Sequence, residues 1–165
     1  MSSGLFEPKA VLFAGEDHCG SVVADDLFQL IIRLHELVGN AATEGYHLVL
    51  GIGARQLITA ATWAVRDLSP SALQITSAAP YYPFFAKLCE FQPHLGVFSA
   101  DQDSKADLEI VCLPNNPSGY LQAPKSKREK CRYIYDMAYY WPHVCGGSIT
   151  VPLPRLAEDL SLIHI

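Results

Sequence analysis

The sequence predicts an α/β fold, with helices packed on a mostly parallel sheet. Three observations carry that expectation. Short apolar runs without polar alternation, such as His47–Gly51 and Leu108–Leu113, have the pattern of strands buried on both faces. Runs with helical spacing alternate with them along the chain, which is the order of a parallel sheet. One apolar run also passes through a glycine turn straight into a helical segment, Gly51-Ile-Gly53-Ala-Arg55.

Taken in order, residues 1–24 are the least readable; Ala10–Ala14 could form a short strand and Gly15–Gly20 a loop. A helix is expected from Asp25. Leu27, Leu30, Ile31, Leu34, Leu37 and Val38 recur at three-four spacing, Asp25 and Asp26 suit the positive end of its dipole, and Gly39 stops it. His35 beside that stripe reads as a surface or half-buried histidine. His47–Gly51 is the next strand, followed by the glycine turn and a helix from Gln56 to about Asp67. Ala72–Ala78 is a strand running into Pro80-Tyr-Tyr-Pro83, where prolines fix the backbone and tyrosines offer flat faces. Leu95–Phe98 fits an edge strand, Asp101–Asp107 a polar surface loop, and Leu108–Leu113 a buried strand. That strand ends in Pro114-Asn-Asn-Pro-Ser-Gly119, a turn sequence. Tyr133–Asp136 is the last clear strand, with Asp136 at its end and Tyr139 three positions on.

Composition narrows the function classes. The 165 residues suffice for a domain with a real core; half are hydrophobic and 18% charged, a globular composition. A net charge of −5 argues against a nucleic-acid surface. The basic cluster Lys125, Lys127, Arg128, Lys130 and Arg132 is interrupted by Glu129 and reads as a solvated loop. Five cysteines (Cys19, Cys89, Cys112, Cys131 and Cys145) form no C-x-x-C pair. Free, mostly buried thiols in a reducing, cytoplasmic compartment are expected, and no metal ligand set emerges. No secretory signal and no apolar stretch of membrane-spanning length are visible.

The candidate functional residues fall at element ends: Gly53, Ala54 and Arg55 in the glycine turn, Tyr82, Asn116, and Asp136 with Tyr139. In a parallel sheet these ends share one edge, where ligands collect. An anion-binding turn, a stacking ring, an amide and a carboxylate facing a cation together describe a flat, phosphorylated, protonated heteroaromatic ligand. Each also has a plain structural reading: a turn, an aromatic corner packed on the next helix, a solvated carboxylate. A dinucleotide fold fits poorly, because Gln56 occupies the third glycine position and the strand ending at Ala78 carries no acid.

Five stretches resemble one family. They are Val38-Gly-Asn-Ala-Ala-Thr-Glu44, Val49-Leu-Gly-Ile-Gly53 with Gln56-Leu57, Ala79-Pro-Tyr-Tyr82, Pro114-Asn-Asn-Pro-Ser-Gly119 and Asp136-Met-Ala-Tyr-Tyr-Trp-Pro-His143. In this order they resemble the alliinase and tryptophan aminotransferase-related group of fold-type-I enzymes that use pyridoxal 5'-phosphate (PLP). The resemblance implies part of the three-layer αβα large domain of that aminotransferase fold, over residues 25–165. It also implies an amino-acid substrate, transamination or carbon–sulfur lysis, and a homodimer at full length. By the same resemblance Asp136 pairs with the pyridine nitrogen, Tyr139 and Asn116 bond the ring's phenolic oxygen, and Tyr82 stacks on the ring. Gly53, Ala54 and Arg55 hold the phosphate.

Two departures stand out. The family usually places hydroxyl residues where this chain has Ala54 and Arg55. Its cofactor-bearing lysine, in a Ser-Lys pair after the Trp-Pro-His segment, has no counterpart, since the last lysine is Lys130. Ala157–Leu162 reads as the start of the strand leading to that lysine, and Ile163-His-Ile165 departs from the family. The expectation is a C-terminally truncated piece without the catalytic lysine or small domain. Its alternative function is that of an inactive fragment or interaction module.

Overall fold

The computed structural model describes residues 22–41, 46–100, 105–126, 128, 130–144 and 160–162. Ala10–Ala14, Gly15–Gly20, Cys19, Ala42–Glu44, Asp101–Ser104, Lys127, Glu129, Cys145 and Ala157–Asp159 lie outside the described residues. The elements in order are α1 (Val22–Val38), α2 (Ala54–Asp67), β1 (Leu73–Thr76), α3 (Phe84–Phe91), β2 (Gly96–Ser99), β3 (Leu108–Cys112), β4 (Arg132–Asp136) and β5 (Leu160–Leu162). Among the described residues the strands form one sheet in the order β2-β1-β3-β4-β5, and every adjacent pair is parallel. β2 is an edge, as Leu95–Phe98 predicted. The α/β fold with a parallel sheet is thus the one the sequence predicts.

Strand register sorts the core into two faces, because side chains alternate along a strand. Ile75 is opposite Leu108, Ile110 opposite Ile134, and Cys112 opposite Asp136. On this face Leu73, Ile75, Leu108, Ile110, Cys112 and Ile134 join Leu57, Ile58, Ala61 and Val65 of α2 and Phe85, Leu88 and Cys89 of α3 in one aliphatic cluster. The buried α2 residues recur at three-four spacing, so one stripe of that helix meets the sheet. Trp63 Nε1 donates to Gln92 Oε1 at 2.6 Å and ties α2 to the end of α3. The other face carries Val111, Tyr135, Met137 and Tyr140, with Tyr46 and Tyr133 against them. Glu109 lies buried on that face as well. Its carboxylate accepts the backbone N–H groups of Lys125 and Ser126 at 2.8–3.0 Å. Those bonds compensate a buried charge that would otherwise be costly.

One glycine is dictated by close packing. Gly96 opens β2 beside Leu73, and a Cβ there would lie 2.0 Å from the Leu73 carbonyl oxygen. No other residue lets β2 approach β1 this closely.

Three expectations are corrected. His47–Gly51 is not a strand: the segment has no ladder partner among the described residues, although Val49 reaches the aliphatic cluster. Its apolar composition reports a demand for burial, not a neighbour to pair with. α1 begins at Val22, ends as expected with Gly39 N–H donating to His35 O at 2.8 Å, but is turned differently. Of the expected stripe, Leu27, Leu30, Leu34 and Leu37 are exposed and Ile31 and Val38 are half-buried, with Phe28, Ile32 and His35 beside them on the more buried face. His35 is therefore buried, not superficial. With Nδ1 protonated it donates to Asn40 Oδ1 at 2.7 Å, and Asn40 Nδ2 donates to Tyr140 O at 3.0 Å. Its ring also meets Trp141, with centroids 5.4 Å apart.

Candidate functional site

The carboxyl edge of the sheet collects the ends of β1, β3 and β4 and the first turn of α2. Three contacts connect them. Arg55, on the first turn of α2, donates from Nε and Nη2 to the Tyr82 hydroxyl at 2.9 and 2.7 Å. Asn115 Nδ2, in the loop after β3, donates to Pro80 O in the loop after β1 at 2.8 Å. The Cys112 thiol, at the end of β3, lies 3.9 Å from Asp136 Oδ2 at the end of β4 and 3.4 Å from Pro114 O. The four predicted element ends therefore follow one another in space along one edge.

The turn into α2 is built by Gly53, whose φ of 82° and ψ of 165° suit glycine and few other residues. Gln56, the residue that breaks a dinucleotide fingerprint, accepts the Ile52 N–H through Oε1 and closes the turn from its own side chain. Among the described residues no side chain caps α2, and no acid stands in its first turn, so its N–H groups and dipole are compatible with an anion.

Tyr82 is half-buried. Its ring meets Phe85 edge-on with centroids 5.7 Å apart, which realises the aromatic corner packed on the next helix. Beyond β3, Asn115 organises the turn: its Oδ1 accepts from Ser118 N–H at 3.1 Å and Ser118 Oγ at 2.7 Å. The neighbouring Asn116 lines a pocket of ≈ 210 Å³ together with Asn115, Pro114, Pro117, Gly119, Tyr139 and Val144. Asn116 and Tyr139, predicted to serve the same atom, thus share one pocket. Arg55, Tyr82 and Asp136 do not line it.

Asp136 is 6% exposed at the end of β4, and its Oδ1 accepts the Ala138 N–H at 3.2 Å. Burial, reinforced by the negative charge of Asp136, pushes the Cys112 thiol up to about 12. The thiol beside the carboxylate is accordingly a neutral group at physiological pH.

The family model for the alliinase C-terminal region, described as Allinase, matches residues 10–163. This chain belongs to the alliinase family. The family is one of PLP-dependent enzymes with the PLP-dependent transferase fold. Tryptophan aminotransferase-related protein 2 of Oryza sativa subsp. japonica is 37% identical over 151 residues, covering 85% of this chain and 29% of that protein. Tryptophan aminotransferase-related protein 3 of Arabidopsis thaliana is 34% identical over 161 residues, covering 88% of this chain and 34% of that protein. An alliin lyase of Allium cepa var. aggregatum is 34% identical over 137 residues, covering 73% and 30%. The chain spans about a third of the length of the curated relatives it matches.

Sequence reasoning missed three members of this edge in an alliinase-family chain. Cys112 was legible only as strand filler, although its position opposite Asp136 follows from pairing the two strand ends. Asn115 is the buried amide of the Asn-Asn pair and holds the loop, which the turn pattern alone does not distinguish from Asn116. The Arg55–Tyr82 pair joins residues 27 positions apart and has no local signal.

Proposed function

We propose that these residues form the cofactor-binding part of a PLP-dependent enzyme acting on amino acids, by transamination or by carbon–sulfur β-elimination. The observation that carries the reading is the buried Asp136 at the end of β4, on the same sheet edge as the uncapped α2 and the Asn116–Tyr139 pocket. The chemistry of this donor set fits the group. A buried carboxylate suits a cationic pyridine nitrogen, an amide and a phenol suit the ring's phenolic oxygen, and uncapped N–H groups at Gly53–Arg55 suit a phosphate. Tyr82 supplies the aromatic face. Bound there, PLP supplies an electron sink for loss of the amino acid's Cα proton. Asp136 would hold the nitrogen's proton in place, and Asn116 and Tyr139 would fix the ring's orientation.

The relatives' names include both tryptophan aminotransferase-related proteins and alliin lyases, which supports the amino-acid class and leaves both reaction branches in the proposal. Proton transfer at Cα belongs, in this reading, to a lysine outside these 165 residues, since none follows Lys130. Full-length protein is proposed to be a homodimer in the cytoplasm.

The reading is tested by titrating the chain with PLP and following the cofactor's absorbance. Asp136→Asn is expected to weaken binding by about tenfold or more, the scale of losing a buried charge-assisted bond. A polypeptide extended to include the lysine is expected to turn yellow with PLP, and Asp136→Asn to abolish its activity. Full activity in that variant removes the electron-sink assignment.

A further inference from the structure

Arg55 stands where the family usually has a hydroxyl residue, and its charge makes a phosphate ligand the obvious role. The geometry points elsewhere. Two of its five N–H donors, from Nε and Nη2, converge on the Tyr82 hydroxyl at 2.9 and 2.7 Å. The guanidinium carbon lies 5.4 Å from the Phe84 ring centroid, within cation–π range. Tyr82 also meets Phe85, edge-on with centroids 5.7 Å apart. The Arg55 side chain thus lies along the aromatic corner after β1 and holds the phenol end of a ring that meets Phe85 of α3 at a right angle.

We infer that Arg55 is a positioning residue for the Tyr82 ring and that its side chain is not a ligand of the cofactor phosphate. The inference rests on the cofactor reading above and refines one position of it. The phosphate is then left to backbone N–H groups at the start of α2, which lack the hydroxyl partners usual in the family. A consequence is weak discrimination by Arg55 between phosphorylated and unphosphorylated forms of the cofactor.

The test compares PLP with pyridoxal, which carries the same ring without the phosphate. Arg55 is exposed, so Arg55→Met is tolerable for folding. It is expected to raise the dissociation constants of PLP and pyridoxal by the same factor, about three- to tenfold, because it loosens the ring that both forms stack on. Tyr82→Phe keeps the ring but removes the hydroxyl that Arg55 grips. It should reproduce that equal loss, and adding Arg55→Met to it should change little further. A loss confined to PLP, with pyridoxal unaffected, makes Arg55 a phosphate ligand and overturns the inference; so does no change with either form. A separate readout needs no cofactor. In a chain labelled with 13C at tyrosine Cζ, the signal that disappears in Tyr82→Phe should move in Arg55→Met, and an unmoved signal overturns the clamp. If neither PLP nor pyridoxal binds the wild-type chain while that signal does move, the cofactor reading falls and the clamp survives it.

Discussion

α2 turns Leu57, Ile58, Ala61, Thr62 and Val65 onto the sheet, whereas α1 leaves Leu27, Leu30, Leu34 and Leu37 exposed. Both helices are amphipathic, so the difference lies in what each one meets. α2 has β1, β3, β4 and α3 under its apolar stripe. α1 is held at its C-terminal end by a polar link, His35 to Asn40 to the Tyr140 carbonyl, and presents its leucines outward. Periodicity creates an apolar face; it does not supply the surface that covers it. The same contrast applies to the segment before α2, where Ile52 is 89% exposed while Ile58, six residues later, is fully buried.

The largest expected effect tests that contrast directly. Ile58→Asp places an unpaired charge in the aliphatic cluster and should cost about 3–5 kcal/mol, enough to unfold a marginal domain. Leu30→Asp on α1 should change stability by no more than about 0.5 kcal/mol, as surface substitutions do. Urea denaturation of the two variants measures both. Equal losses would mean that α1 is covered after all. A loss for Leu30→Asp that grows with protein concentration would place the cover on a second molecule.

Much of this architecture was legible because local signals agreed with the tertiary outcome. Leu108–Leu113 and Tyr133–Asp136 read as buried strands, and they pair in parallel with Asp136 opposite Cys112. Where local and long-range demands diverged, the sequence was ambiguous. His47–Gly51 has the composition of a central strand, but pairing requires a neighbour that composition does not name. On α1, two stripes with helical spacing overlap at Ile31: the expected Leu27-Leu30-Ile31-Leu34-Leu37-Val38 and Phe28-Ile31-Ile32-His35. The leucines outweigh the others in hydrophobicity, yet the second stripe is the more buried one, and His35 finds Asn40 and Trp141 there. A buried histidine at the i+7 position from Phe28 was the available clue. At the candidate site, residue types at element ends were readable one by one. Their mutual contacts were not, because Arg55 with Tyr82 and Asn115 with Pro80 join distant parts of the chain.

A smaller effect sharpens the account of α1. Asn40→Ala removes the partner of His35 Nδ1 and a donor to Tyr140 O in a buried setting, and should cost about 1–3 kcal/mol. Its signature is regional. Amide exchange in α1 should accelerate more than in α2, because α1 depends on this link and α2 on burial. Uniform acceleration of both helices would show that α1 is secured by packing. Glu109→Gln serves as a control elsewhere on the sheet face that carries Tyr140. It weakens the three N–H contacts with Lys125 and Ser126, and should loosen that loop while leaving α1 exchange unaltered.

The smallest effect at neutral pH concerns the thiols: burial also raises Cys131 beside Glu109, and the two largest shifts are on the face that α2 and α3 cover. Burial pushes Cys89 up to about 11, and burial with the Asp136 charge pushes Cys112 up to about 12, from an ordinary 9.0. In the folded chain both therefore keep their protons at pH values where the unfolded chain has begun to lose them. The native state binds more protons above pH 9, so unfolding releases protons and stability falls as pH rises. The contribution is fully present below pH 9 and is lost progressively toward pH 11–12, as the folded thiols themselves ionise. Urea midpoints measured from pH 7 to 11 should decline above 9, and the Cys89→Ala, Cys112→Ser double variant should decline less steeply. Every other group is common to both proteins, so the difference between the two curves isolates Cys89 and Cys112. At pH 8, folded Cys112 should carry about a thousandfold less thiolate than a free cysteine and react correspondingly slowly with iodoacetamide. Rapid alkylation of Cys112 in the native chain would mean that solvent reaches the space between β3 and Asp136, and that the covered face is no better sealed than α1.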